Sequence, residues 1–156
     1  MLRISKLTDY ATLILAHLAD GEARQTTVAL AEASGIGPPT VSKVLKDLQR
    51  AGLVVSTRGA HGGYALARPA STISAADIID AVEGPVGLTE CSSHPGQCEL
   101  ESGCRVGHSW QRVSAAIRRA LGEVKLTQLT GQEPTAVLVP NLGLTPGARP
   151  GWRART

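Results

Sequence analysis

Apolar residues near the start of the chain fall at Ile4, Leu7, Ala11, Ile14 and Leu18, in steps of 3, 4, 3 and 4. That stepping lays one apolar stripe along a helix over residues 4–19, which Gly21 ends. A shorter helix is expected from Thr27 to about Ser34, with Val28, Leu30 and Ala31 apolar and Gly35 closing it. Pro38 and Pro39 suit the first turn of a third helix, where amide donors are not needed. Val41, Val44, Leu45 and Leu48 make its buried face, opposite Ser42, Lys43, Lys46, Gln49 and Arg50. After Gly52 the period changes. LVVST (53–57) is β-branched and strand-like, RGAHGG (58–63) reads as a turn, and YALAR (64–68) as the return strand. Three helices followed by a hairpin is the order of a winged helix-turn-helix.

Further along, Ser74 caps a helix that runs to Val82, with Asp77 completing a capping box and Gly84-Pro85 ending it. Residues 88–107 are rich in Ser, Gly and Cys and read as a loop. A long helix is expected from about Ser109 to Leu129, because Trp110, Val113, Ile117, Ala120 and Val124 again step 3, 4, 3 and 4. An apolar stripe on an otherwise polar helix needs a partner, and a second copy of the same helix is the economical one. The expected fold is mainly α with a small β-hairpin wing. Residues 1–70 form the winged helix-turn-helix, 71–107 a linking helix and cysteine loop, and 108–131 a dimerisation helix. Residues 132–156, with four prolines, are expected to be a disordered tail.

Composition narrows the functional classes. The chain has 156 residues, 42% hydrophobic and 19% charged, which is a globular balance. No apolar run approaches the ~20 residues that span a bilayer. The first residues lack an uninterrupted apolar stretch and a small-residue cleavage site, so a cytoplasmic protein is expected, with no membrane partner. With no Phe, two Trp and two Tyr, stacking platforms for single strands are scarce. No G-x-S-x-G, phosphate-binding glycine loop or H-E-x-x-H is present, so the expectation is not an enzyme. Residues 1–70 hold eight Lys/Arg against five Asp/Glu, whereas residues 71–131 hold five against seven. A basic front and an acidic middle fit a polyanion-binding module joined to something else.

The second helix of a helix-turn-helix pair enters the major groove. Here that is residues 38–50, where Thr40, Ser42 and Lys43 carry donors suited to purine edges. Lys46 and Arg50 are placed for phosphate, where contacts give salt-dependent affinity. Arg58 and His61 occupy a glycine-rich wing tip slim enough for a minor groove. The expected partner is double-stranded DNA, bound by a homodimer.

All three cysteines, Cys91, Cys98 and Cys104, lie within fourteen residues, spaced C-x6-C-x5-C. An odd number argues against a disulfide framework, and the lack of C-x-x-C disfavours a zinc finger. Soft thiolates on a glycine-containing loop suit an iron–sulfur cluster. Zinc and three unligated thiols remain the alternatives.

The segments ISKLTDYATLILAHLA and ASGIGPPTVSKVLKDLQRAGLVVSTRGAHGGYALAR resemble the IscR/NsrR family of bacterial winged-helix regulators. They are most like the branch that regulates the SUF iron–sulfur assembly system. The likeness covers about residues 1–131, and the wing RGAHGGYALAR carries the family's most specific mark. The resemblance implies a 2Fe–2S or 4Fe–4S cluster on Cys91, Cys98 and Cys104. It leaves the fourth ligand to His108, one place beyond the histidine of IscR-like members, or to Asp9, at the aspartate of NsrR-like members. His94, inside the loop, is a further candidate. The implied function is a cluster-sensing repressor of iron–sulfur assembly genes, with a nitric oxide- or redox-responsive repressor as the alternative.

Overall fold

The computed structural model describes residues 4–21, 23–59, 61–89, 92, 104 and 106–133. Helix α1 (Lys6–Asp20) starts where the Ser5 hydroxyl accepts from the Thr8 amide. That cap leaves Ile4 outside the helix and 58% exposed, so the stripe expected to begin there begins at Leu7. Ala11, Ile14, Leu15 and Leu18 are buried. Helix α2 (Thr27–Ser34) is capped by Thr26 and closed by Gly35 in the left-handed region, at φ 70. It buries Leu30 and Ala31, whereas Val28, expected on the apolar side, is 61% exposed. Helix α3 (Pro38–Arg50) carries proline in its first turn and buries Val41, Val44, Leu45 and Leu48, as its spacing predicts. These side chains join those of α1 and α2 in one aliphatic core.

Strand β1 (Val54–Thr57) pairs antiparallel with β2 (Gly63–Leu66), from Val54 opposite Leu66 to Thr57 opposite Gly63. Only one residue of β1 is buried, so the hairpin projects from the core with the Val54 end rooted in it. The molecule is thus mainly helical with a two-stranded wing.

A short 3-10 turn (Ala70–Thr72) leads into α4 (Ala75–Glu83). Ser74 and Asp77 form a reciprocal capping box, and Arg68, just beyond the wing, sits 2.9 Å from Asp77. Burial acts to raise the Asp77 pKa, but hydrogen bonds from Ser74 and the charges of Arg68 and Lys125 outweigh it and hold the carboxyl below its ordinary range. At the other end of α4, Glu83 accepts from the Thr8 hydroxyl and from the Ser5 amide at 2.9 Å. The Thr8 bond is the main cause that lowers the Glu83 pKa. Ile78, between these ends, is buried in the core. Helix α4 is therefore held to the wing at its start and to α1 at its finish.

The long helix expected over 109–129 is two elements, α5 (Gly107–Glu123) and α6 (Leu126–Leu129). Between them Val124 and Lys125 are extended, and the chain pairs with residues 73–75. The Ala75 amide donates to the Val124 carbonyl at 2.9 Å and the Leu126 amide to that of Ile73 at 2.8 Å. Breaking the helix there buries Leu126 and Ile73 completely. Helix α5 packs on α4 through the ion pair Arg118–Asp80. Its Ser114 is buried, but Trp110 and Val113 of the expected dimer stripe are 46% and 43% exposed. Gln132 and Glu133, placed in the expected tail, are fastened to Asp20 and Thr127. The rest of that tail, 134–156, and most of the cysteine loop lie outside the described residues. No helix among the described residues is long and apolar enough to cross a membrane.

Asp77 and Glu83 have depressed pKa values in the folded chain. Such groups stabilise the fold above their unfolded pKa and lose that contribution as pH falls through the lower folded value. The melting temperature should therefore be steady near neutrality and drop as pH falls below about 4. Asp77→Asn should lower the melting temperature at pH 7 and flatten this acid limb. An acid limb identical to that of the unmodified chain would contradict the assignment.

Candidate DNA-reading face and cysteine loop

The turn between α2 and α3 is set by local chemistry. The Gly35 amide bonds to the Ala31 carbonyl at 2.9 Å, Ile36 drops into the core, and Gly37 opens α3 without a side-chain cap. With one face of α3 locked into the core, the other must look outward. Lys43, Lys46 and Arg50 are exposed there, and Thr40 and Ser42 are half-buried. All five predicted residues thus share one helix, on or beside its free face.

Asp47 was not singled out in the sequence, yet it joins two of these cations. Its carboxylate oxygens lie 3.4 Å from Lys43 Nζ and 3.2 Å from an Arg50 guanidinium nitrogen. The i, i+4 and i, i+3 spacings were the available signal. Among the described residues, no carboxylate pairs with Lys46.

The wing explains its own glycines. Gly59 has φ 116, and its carbonyl accepts from the Gly62 amide at 2.9 Å to close the tip. A Cβ on Gly62 would stand 2.4 Å from the Thr57 carbonyl oxygen, closer than any real contact. On Gly63 it would meet the Gln25 carbonyl at 2.8 Å. That approach is needed because Gln25 and Tyr64 exchange backbone hydrogen bonds of 2.9 and 2.8 Å, pinning the wing to the link between α1 and α2. The Gln25 side chain also donates to the His17 carbonyl at 2.7 Å. No sequence pattern marked Gln25 for this role. Arg58 and His61 are exposed on the tip.

For the cysteine loop, the described residues give its two ends. The Val86 amide donates to Asp80 at 3.3 Å and the Leu88 amide to the Ser114 hydroxyl at 3.1 Å, so the outgoing chain is tied to both α4 and α5. On the return, Cys104 carries a free, half-buried thiol three residues before α5 begins at Gly107. Cys91, Cys98 and His94 lie outside the described residues. His108 is exposed in the first turn of α5 and Asp9 in that of α1. Among the described residues no group of three metal-ligating side chains converges. As a donor set, three thiols on a segment fastened at its start fit a sulfur-ligated iron centre.

Comparison with known proteins gives a consistent result. Residues 4–132 match the Rrf2 family, described as iron-dependent transcriptional regulators. Protein aau3 of Rhizobium meliloti (strain 1021) is 34% identical over 122 residues, which is 77% of this chain and 75% of that protein. The structure of CymR, titled the global cysteine regulator of B. subtilis, superposes with a TM-score of 0.64 at 30% identity, covering 85% of this chain and 99% of that one. T. potens IscR gives 0.61 at 28% identity, covering 84% and 88%.

Gly62→Ala should distort the wing tip while the helical core stays folded, at a cost of about 1–3 kcal/mol. Gel-shift affinity for a bound duplex is expected to fall several-fold with the helical circular dichroism retained. Full affinity in this variant would detach the wing from DNA binding.

Proposed function

The chain belongs to the Rrf2 family of transcriptional regulators, and on that footing we propose that an iron–sulfur cluster on Cys91, Cys98 and Cys104 sets its affinity for DNA. In this reading the protein is a cytoplasmic homodimer that represses iron–sulfur assembly genes. One observation carries the cluster part: three thiols lie within fourteen residues, on a segment that leaves α4 and returns to α5.

The rest follows from placement. Thr40, Ser42 and Lys43 read base edges in the major groove, while Lys46 and Arg50 hold phosphate. Arg58 and His61 enter the adjoining minor groove. Trp110 and Val113 on the outer face of α5 are covered by the second copy, which sets two α3 helices about 34 Å apart. His108 or Asp9 completes the donor set, and the choice decides the cluster type. When bound, the cluster supplies a centre that oxygen, nitric oxide or iron shortage can remove. Asp80 bonds both the outgoing loop and Arg118 of α5, so a change in the loop is felt where α5 rests on α4.

A second reading is a nitric oxide- or redox-responsive repressor without a role in assembly genes. The free, half-buried Cys104 thiol favours it. Iron analysis separates the two. Protein purified without oxygen, or reconstituted with iron and sulfide, should be brown and hold iron. Cys98→Ala should be colourless. A colourless, iron-free parent chain after reconstitution contradicts the cluster and leaves the thiol reading.

A further inference from the structure

Helix α3 presents three exposed cations, and its one acid sits between two of them. The Asp47 side chain is only 17% exposed, whereas those of Lys43 and Arg50 are 61% and 78% exposed. One carboxylate oxygen faces Lys43 and the other faces Arg50. We infer that Asp47 is a specificity-determining residue, which withholds Lys43 and Arg50 from indiscriminate phosphate contact and aligns them for a matched site. The inference rests on the reading that α3 faces the duplex.

Two complexes draw on these cations differently. On an unmatched duplex, affinity comes almost wholly from cations that displace counterions at phosphates. There Asp47 competes directly for two of the three α3 cations and adds its own repulsion. On a matched site, Lys43 meets a purine edge, and two bonds from the carboxylate hold both side chains close to the helix in a restricted set of rotamers. Ordering those long chains before contact reduces what binding must spend on their freedom. Asp47 therefore weakens unmatched binding more than matched binding. Lys46, unpaired among the described residues, supplies the sequence-independent hold.

The test uses the full chain and two duplexes of equal length: one selected by the parent chain from random sequence, and one unselected. Asp47→Asn keeps the side-chain shape and removes the charge. Binding to the unselected duplex should tighten about 3- to 10-fold at low salt, and the log–log salt slope should steepen by up to about 0.9 for each head engaged. Binding to the selected duplex should tighten less, so the ratio between the two falls. Independently, Arg50→Gln should weaken binding to the unselected duplex less than Lys46→Gln does, and Asp47→Asn should erase that difference. The parent-background half of this comparison leaves Asp47 unchanged and stands even if the Asn variant folds poorly.

Equal tightening on both duplexes overturns the inference, as does an unchanged affinity and slope on the unselected one. Equal losses from Arg50→Gln and Lys46→Gln in the parent background also overturn it. If Lys46→Gln alters binding to neither duplex, the reading that α3 faces DNA fails first.

Discussion

Helix α4 is the constraint on which the rest depends. It has nine residues, yet its first turn is bound to the wing end through Arg68–Asp77 and its last turn to α1 through Glu83, Ser5 and Thr8. Asp77 and Glu83 do this from partly exposed positions, where isolated ion pairs contribute little. What makes them matter is that both also accept backbone hydrogen bonds at helix ends that would otherwise carry unsatisfied amides. Ile78 fills the core between them. A helix fixed at both ends and in the middle moves with the DNA-reading head as one piece. The cysteine loop begins directly after it, and α5 packs on it.

That arrangement gives the two halves of the chain a physical connection. Asp80 accepts from the outgoing loop and from Arg118. The Leu88 amide reaches across to Ser114 on α5. These bonds tie the start of the loop to the seat of α5, and the capped ends of α4 fasten that seat to the head.

Much of the head was legible in the sequence because its boundaries are local. Gly35, Pro38 and Gly52 act through backbone preferences that need no distant partner, and the ends of α2 and α3 fall where those residues place them. The four-residue buried row of α3 was equally plain, since a stripe on a 3.6-residue period leaves little choice. The break at Val124–Lys125 was not legible, because it is made by pairing with Ile73–Ala75, fifty residues earlier in the chain. A helical stripe running on to Leu129 carries no mark of that pairing. Val28 and Ile4 illustrate a related limit: apolar residues at the edges of elements are placed by caps and neighbours, not by period. At the candidate site, single polar residues were the hidden part. Gln25 pins the wing through its backbone, which has no side-chain signature. Asp47 was visible in its spacing but was outweighed by the cations around it.

Under the proposed function, the state of the cysteine loop changes how the head meets DNA. The most direct test is the affinity of one preparation for one duplex, measured anaerobically at fixed salt, before and after its iron is removed. A coupling of about 1–3 kcal/mol predicts that the two dissociation constants differ by about 5- to 150-fold. Equal constants for the iron-loaded and iron-free chain would contradict the claim and leave a DNA-binding protein without this switch.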